Sequence, residues 1–467
     1  MSDSRDIVAR IEDEQNGLQR SLSNRHIQLI AIGGAIGTGL FMGSGRTISV
    51  AGPSIILVYA IVGFMLYFVM RAMGELLLHK LEYRSFQDFA ADILGPWAGF
   101  AIGWSYWMCW VVIGMTDLIA IVDYWNFWVH NHAIAIALGV GLMLALLGMN
   151  LLTVKLFGEL EFWFALIKLV AIASLVVVGI VLIATGYEHE GVRASVTHLW
   201  DHGGVFPTGF TGFIGGFQLA IFAFVGIELV GATAAETKDP HTTLPRAINA
   251  IPVRVLLFYV LALAAIMSIT PWDRVNPEHS PFVELFNLIG LVAAASVMNF
   301  VVLTSAASSC NSGIYSTSRM LYGLAGKRMA SPLFKKVSSH GVPWPGLVLT
   351  IMLVCASLLL TASGSVMRAF TIITTVSSVL FIAIWSIILA CYIVYRRRNT
   401  QAHSRAAYKM PGAAFMPWVV LVFFAFILVA LTQDPDTRIA EAVTPLWFIF
   451  LACMWRRVRG RFLCVST

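Results

Sequence analysis

Again and again this chain runs for about twenty residues or more without a single Asp, Glu, Lys or Arg. The charge-free stretches are 26–45, 47–70, 93–116, 124–154, 169–187, 202–227, 255–272, 285–318, 337–367, 369–395, 410–433 and 442–455. A helix needs roughly 20 apolar residues to cross about 30 Å of hydrocarbon, and most of these stretches reach that length. Only 12% of the 467 residues are charged and 58% are hydrophobic, whereas a soluble domain carries about a quarter charged residues. The pattern predicts an all-α integral membrane protein with twelve spanning helices. The last stretch is short and must borrow flanking residues such as Ile439 and Ala440.

The basic residues orient the spans. With the amino terminus inside, 24 of the 31 Lys and Arg residues fall in cytoplasmic segments and five (Arg46, Arg193, Arg274, Arg368, Arg438) outside, while Arg71 and Lys168 lie within spans. That bias follows the positive-inside rule and places both termini in the cytoplasm of a multi-pass membrane protein. The net charge of +6 then reflects topology and contact with anionic membrane lipid, and points to no nucleic acid. Residues 1–25 are polar, have no apolar signal-peptide core and read as a tail. The six cysteines are scattered, without metal-ligand or disulfide spacing, so neither metal nor cofactor is expected. Two comparable blocks, 26–184 and 208–395, flank an outer loop at 185–207. Residues 396–457 add a loop and two more helices, and 458–467 form a tail.

The first span of each block is rich in glycine: Gly33-Gly34-Ala35-Ile36-Gly37-Thr38-Gly39 in one, and Gly209 through Gly231 in the other. Irregular backbone survives at membrane depth only where protein or a watery cavity surrounds it. Paired interruptions in two halves point to the substrate site of a secondary transporter. A broken helix exposes N–H groups at one new end and carbonyls at the other, with partial charges of about half a unit. The N–H groups of Gly37, Thr38 and Gly39 could hold a carboxylate. The carbonyls of Ala35, Phe222, Ala223 and Val225 could hold an ammonium, so a free amino acid would be bound without burying a full side-chain charge. Close helix packing through small residues is the competing explanation for the glycines. Phe222 and Phe224 are candidates for closing over the substrate side chain. Bulk there would favour a small ligand such as glycine, alanine or serine.

The run Arg25-His26-Ile27-Gln28-Leu29-Ile30-Ala31-Ile32-Gly33-Gly34-Ala35-Ile36-Gly37-Thr38-Gly39-Leu40-Phe41 resembles the first helix of bacterial amino-acid permeases of the amino acid–polyamine–organocation superfamily. So do Arg71-Ala72-Met73-Gly74-Glu75-Leu76, Glu161 through Lys168, Phe222-Ala223-Phe224-Val225-Gly226-Ile227-Glu228, Glu236-Thr237-Lys238-Asp239-Pro240 and Leu244-Pro245-Arg246-Ala247-Ile248. The resemblance covers about residues 15–457. It implies a five-plus-five inverted repeat with discontinuous first and sixth helices, two further helices at the carboxyl end, and proton-coupled uptake by alternating access. It also implies a coupling role for Lys168, placed against the unwound first helix.

Charges inside spans are costly, about 2.5–3.5 kcal/mol for a lysine at mid-bilayer, so each needs a reason. Lys168 is either a lysine reaching back to the interface or a titrating ammonium that couples protons to transport. Glu228, just past the second break, is either a structural acceptor for freed N–H groups or a proton relay. Arg71 and Glu75, one turn apart, are expected to pair. Asp117 and Asp123 are expected at the solvated outer end of the third span. Trp97, Trp104, Trp107 and Trp110 are expected in core and interface belt. The hydroxyl run Thr304, Ser305, Ser308, Ser309, Asn311, Ser312 either lines a cavity beside Lys168 or joins helices.

The reading is therefore a proton symporter importing small neutral amino acids, with an amino-acid exchanger of the same fold as the alternative. A channel would need a selectivity filter or charged rings, and none is evident. No paired catalytic groups suggest an enzyme.

Overall fold

The computed structural model describes residues 36–460 except 84, 153, 190, 233–238, 289, 340 and 362–365. The tail 1–25, Gly33, Gly34 and Ala35 lie outside the described residues, as do residues 461–467. With no water in hydrocarbon to serve the backbone, each N–H must find its carbonyl within its own helix, and the described elements are helical almost throughout. In chain order they are α1 (Thr38–Phe41), α2 (Gly43–Ala51), α3 (Ile55–His79), α4 (Phe86–Leu94), α5 (Pro96–Val129), α6 (His132–Leu152) and α7 (Val154–Thr185). A short antiparallel hairpin follows, β1 (Glu188–His189) with β2 (Val192–Arg193). Then come α8 (His198–Asp201), α9 (Gly209–Ala223), α10 (Leu229–Ala232), α11 (Pro240–Ile269), α12 (Pro281–Leu288) and α13 (Val292–Gly326). The chain continues with α14 (Trp344–Ala356), α15 (Leu358–Thr361), α16 (Val366–Arg398), α17 (Thr400–Arg405), α18 (Met416–Leu431) and α19 (Pro435–Val458).

Among the described residues, seven helical segments are long and apolar enough to cross a membrane, and four shorter apolar helices accompany them. Burial separates centre from rim. In α5 89% of the most apolar stretch is buried, against 22% in α7 and α19. A helix apolar on all sides and buried on all sides is a core helix, whereas α7 and α19 turn apolar faces outward, as lipid-facing helices do. α5 packs most extensively against α13. Gly313 of α13 makes that closeness possible: a methyl there would lie 2.9 Å from Cε3 of Trp110.

Several helices extend beyond the charge-free runs, because charges sit inside them. The third run stops before Asp117, yet α5 continues to Val129. The fifth begins after Lys168, yet α7 starts at Val154. The short final run is completed as expected: Ile439 and Ala440 belong to α19, whose start is capped by Asp434 accepting from the N–H groups of Asp436 and Thr437 at 2.8 and 3.3 Å.

Two expectations are corrected. Arg71 and Glu75 do not pair. Arg71 donates to Asn249 at 2.9 Å and to the Lys409 carbonyl, and stacks on Tyr408. Glu75 is buried and accepts from Tyr392, His403 and the Met410 N–H at 2.8, 2.6 and 2.9 Å. One turn of spacing permits a pair, but better-placed partners on the 399–410 segment win both side chains. Asp117 is not at a solvated helix end either. It is fully buried in mid-helix, and Asp123 is half-buried.

Candidate functional site

Two interruptions of helical backbone face each other in the interior. At the first, Ile36 and Gly37 are non-helical, and α1 begins at Thr38 with Gly37 as its N-cap in extended conformation. Leu40 is the first residue here to give its N–H to a helix carbonyl, that of Gly37 at 3.2 Å. The N–H groups of Thr38 and Gly39 therefore stand at an open helix start. The freed Ile36 carbonyl accepts from the Ser305 hydroxyl at 3.1 Å, so α13 serves backbone that lipid could not.

At the second, α9 ends at Ala223, and residues 224–228 form turns before α10 restarts at Leu229. Gly226 has φ +102°, a conformation that favours glycine, and its N–H donates to the Glu228 carboxylate at 3.1 Å. Tyr259 donates its hydroxyl to the Ala223 carbonyl at 2.6 Å. The Phe222 carbonyl accepts from the Val225 N–H at 3.1 Å. Each of these carbonyls keeps a second lone pair for a guest.

The two breaks touch. A methyl on Gly39 would lie 2.7 Å from the Ala223 Cα, so backbone meets backbone there and only glycine fits. Beside the contact lies a cavity lined by Gly37, Thr38, Gly39, Trp110, Ile113, Phe222, Ala223, Val225 and Ser309. Its free volume is about 20 Å³, room for roughly one water. Its walls must part to admit even a small amino acid.

Of the residues singled out from sequence, Gly37, Thr38, Gly39, Phe222, Ala223 and Val225 meet at this cavity. Phe224 does not; it packs between Tyr59 and Tyr259 with ring centroids 5.7 and 5.2 Å away. Ala35 lies outside the described residues. Lys168 and Glu228 are fully buried and stand off the cavity wall. The Lys168 ammonium donates to Ser308 at 3.1 Å, and Ser308 donates to Glu161 at 2.9 Å. Asn311 donates to the other Glu161 oxygen at 2.9 Å and receives Asn150 at 2.6 Å. The hydroxyl run of α13 thus mainly joins helices, and of its members Ser309 lines the cavity. Ser305 reaches the first break, and Ser308 reaches Lys168.

Three residues were not expected at the site: Ile113 was not singled out, Trp110 was expected in the core and interface belt, and Asp117 at a solvated helix end. Thr38 donates its hydroxyl to Asp117 Oδ1 at 2.8 Å, tying the start of α1 to the central helix. The three follow one another by three and four residues along α5, a single helical face. That spacing, with an aspartate on an apolar stripe, is the signal that could have found them.

Buried helices with paired breaks around a cavity define a multi-pass membrane protein of the transporter kind. The amino acid permease family model matches residues 26–458, and the chain belongs to that family. It is 59% identical over 456 residues to a D-serine/D-alanine/glycine transporter of Escherichia coli (strain K12), covering 96% of this chain and 97% of the relative. It is 50% identical to the amino-acid permease AapA of Bacillus subtilis, covering 95% and 96%. A probable threonine/serine transporter of the same organism, YbxG, is 42% identical, with 93% of each chain covered.

Proposed function

We propose that the chain imports small neutral amino acids of the D-serine, D-alanine and glycine class across a bacterial plasma membrane by proton symport. Its spans would form a five-plus-five inverted repeat with both termini inside. The observation that carries this reading is the backbone contact of two helix breaks at Gly39 and Ala223 beside a small cavity. N–H groups of α1 take the substrate carboxylate, and carbonyls at the end of α9 take its ammonium. Phe222, Trp110 and Ile113 limit the side chain to something small. The similarity to a D-serine/D-alanine/glycine transporter supports that size class.

Coupling is assigned to Lys168. Its ammonium is linked through Ser308 to Glu161, and Ser308 adjoins the cavity residue Ser309. Gain or loss of a proton there alters the hydrogen bonds that hold α13 against the first break. Transport proceeds by alternating access, since the closed cavity must open to each side in turn. Glu228 fixes the turn at Gly226 and can relay protons between the second break and the inner face.

The decisive measurement is uptake into reconstituted vesicles of labelled glycine and both enantiomers of alanine and serine, with and without an inward proton gradient. Accumulation should require the gradient, and cycloserine should compete as a small amino-acid analogue. Lys168→Ala should lose uphill accumulation. Undiminished gradient-driven uptake in that variant would refute the coupling role. Release of preloaded label by outside substrate, with no uptake into empty vesicles, would make the protein an exchanger instead. Gly39→Ala should abolish uptake, whereas Gly37→Ala, whose methyl meets Ser309 Oγ at an ordinary 3.5 Å, should keep a substantial part of it.

A further inference from the structure

A second pocket lies away from the substrate cavity, where the end of α16 meets the start of α18. Its free volume is about 80 Å³, and its lining is Ile393, Arg396, Arg397, Ala413, Ala414 and Trp418. That is several times the roughly 10–15 Å³ one water needs. Among the described residues, no carboxylate pairs with Arg396 or Arg397. Their neighbours are spent on backbone: Arg398 donates to the Ile93 carbonyl at 3.2 Å, and Lys409 to the Ser404 carbonyl at 2.7 Å. Two adjacent arginines lining one pocket suit a phosphate, which guanidiniums can grip with forked pairs of N–H groups.

The surroundings say what carries the phosphate. Trp418 at the pocket mouth is half-exposed, as indoles at the headgroup level are. Beyond it Val422, Phe426 and Val429 continue from Trp418 every three or four residues along α18, all exposed on one apolar stripe that Phe415 begins just before the helix. A soluble anion would use the guanidiniums and leave the stripe bare, whereas a phospholipid uses both. A zwitterionic headgroup would bring an ammonium against two uncompensated positive charges.

We propose that this pocket is a binding site for an anionic phospholipid, its phosphate between Arg396 and Arg397 and an acyl chain along α18. The site is independent of the transport reading. Full-length protein in neutral detergent, titrated with phosphatidylglycerol or phosphatidylcholine in mixed micelles and read by native mass spectrometry, should retain phosphatidylglycerol at least about tenfold more tightly. The pair Arg396→Gln with Arg397→Gln should weaken that retention about thirtyfold. The pair Arg396→Lys with Arg397→Lys, which keeps charge and loses the fork, should weaken it only a few-fold. Arg456→Gln with Arg457→Gln removes equal charge from the exposed end of α19 and should change retention less than twofold.

Equal loss in both glutamine pairs would reduce the effect to general electrostatics and overturn the site. So would unchanged retention in the Arg396/Arg397 pair. Displacement of bound lipid by millimolar inorganic phosphate would overturn the lipid assignment in favour of a soluble anion. Should the glutamine pair fail to fold, loss of headgroup selectivity in the wild-type titration is by itself sufficient to overturn the proposal.

Discussion

Glu75 and Asp117 are both buried carboxylates on apolar helices, and they are served in opposite ways. Glu75 has donors on both oxygens: His403 on one, Tyr392 and the Met410 N–H on the other. Asp117 has Thr38 on Oδ1 and the Ser309 hydroxyl close by, and among the described residues Oδ2 makes no hydrogen bond of good geometry. The same division separates Glu161, bonded at both oxygens, from Glu228, whose Oε1 makes no such bond. Leaving a buried donor or acceptor unpaired costs about 1–3 kcal/mol, so removing a carboxylate that serves several donors is expensive. Glu75 holds the 399–410 segment in place, whereas Asp117 and Glu228 serve the two helix breaks, Asp117 through Thr38 and Glu228 through the Gly226 N–H.

The largest effect should therefore come from breaking the saturated hub. Glu75→Leu strands the Tyr392 hydroxyl, the His403 ring nitrogen and the Met410 N–H at once. It should cost about 3 kcal/mol or more, seen as a lowered unfolding temperature in detergent and reduced yield. If Glu75→Leu melts like the wild type, full hydrogen bonding does not identify the structural group.

Asp117→Asn should do the reverse. An amide keeps an acceptor for Thr38 and carries no buried charge, so the stability should stay within about 1 kcal/mol of wild type. Initial uptake should fall about 10- to 100-fold, since a hydrogen bond to a charged group contributes about 1.5–3 kcal/mol. Asp117 is a positioning residue: it acts through Thr38, and the loss should appear more in KM than in the amount of folded protein. An Asp117→Asn protein that transports normally would remove the distinction drawn here.

Legibility in the sequence follows the same division. The helices were readable because charge is costly in lipid, and the breaks were pointed to by glycine density, although close packing uses glycines too: a methyl on Gly215 or Gly216 would lie 2.8 or 2.9 Å from Val50 or Ala51. What misled was the assumption that charges end spans. Asp117 and Lys168 lie inside α5 and α7 because neighbouring helices supply their partners, Thr38 for one and Ser308 for the other. Such partners are 79 and 140 positions away in the chain, beyond any local pattern. Phe224 shows the same limit from the apolar side. Adjacent to the break, it is carried away from the cavity by the turn and held by Tyr59 and Tyr259.

Glu228→Gln sharpens the contrast with a smaller effect. Glutamine can still accept from the Gly226 N–H, so the turn should persist and uptake should drop only a few-fold. If the carboxylate relays protons, the dependence of uptake on outside pH should flatten. A profile that superimposes on the wild type after scaling would leave Glu228 a purely structural acceptor.

The smallest effect lies at the exposed end of the series, on α4, which is too short to span. Asp92 accepts from Lys80 at 2.6 Å and from Tyr83, and the Lys80 hydrogen bond, followed by that of Tyr83, holds its carboxyl below the usual range. Lys80 and Asp92 are 45% and 48% exposed, so water and salt screen the pair and its contribution should stay under about 1 kcal/mol. A depressed folded-state value means the stabilisation is fully present above the unfolded value, near pH 3.9, and is lost as pH falls through the lower folded one. Asp92→Asn should thus melt slightly below wild type at pH 7, and the difference should close below about pH 4 and in about 1 M salt. No difference at pH 7 would show that the Tyr83 hydrogen bond, which an amide oxygen can also accept, carries the contact in place of charge.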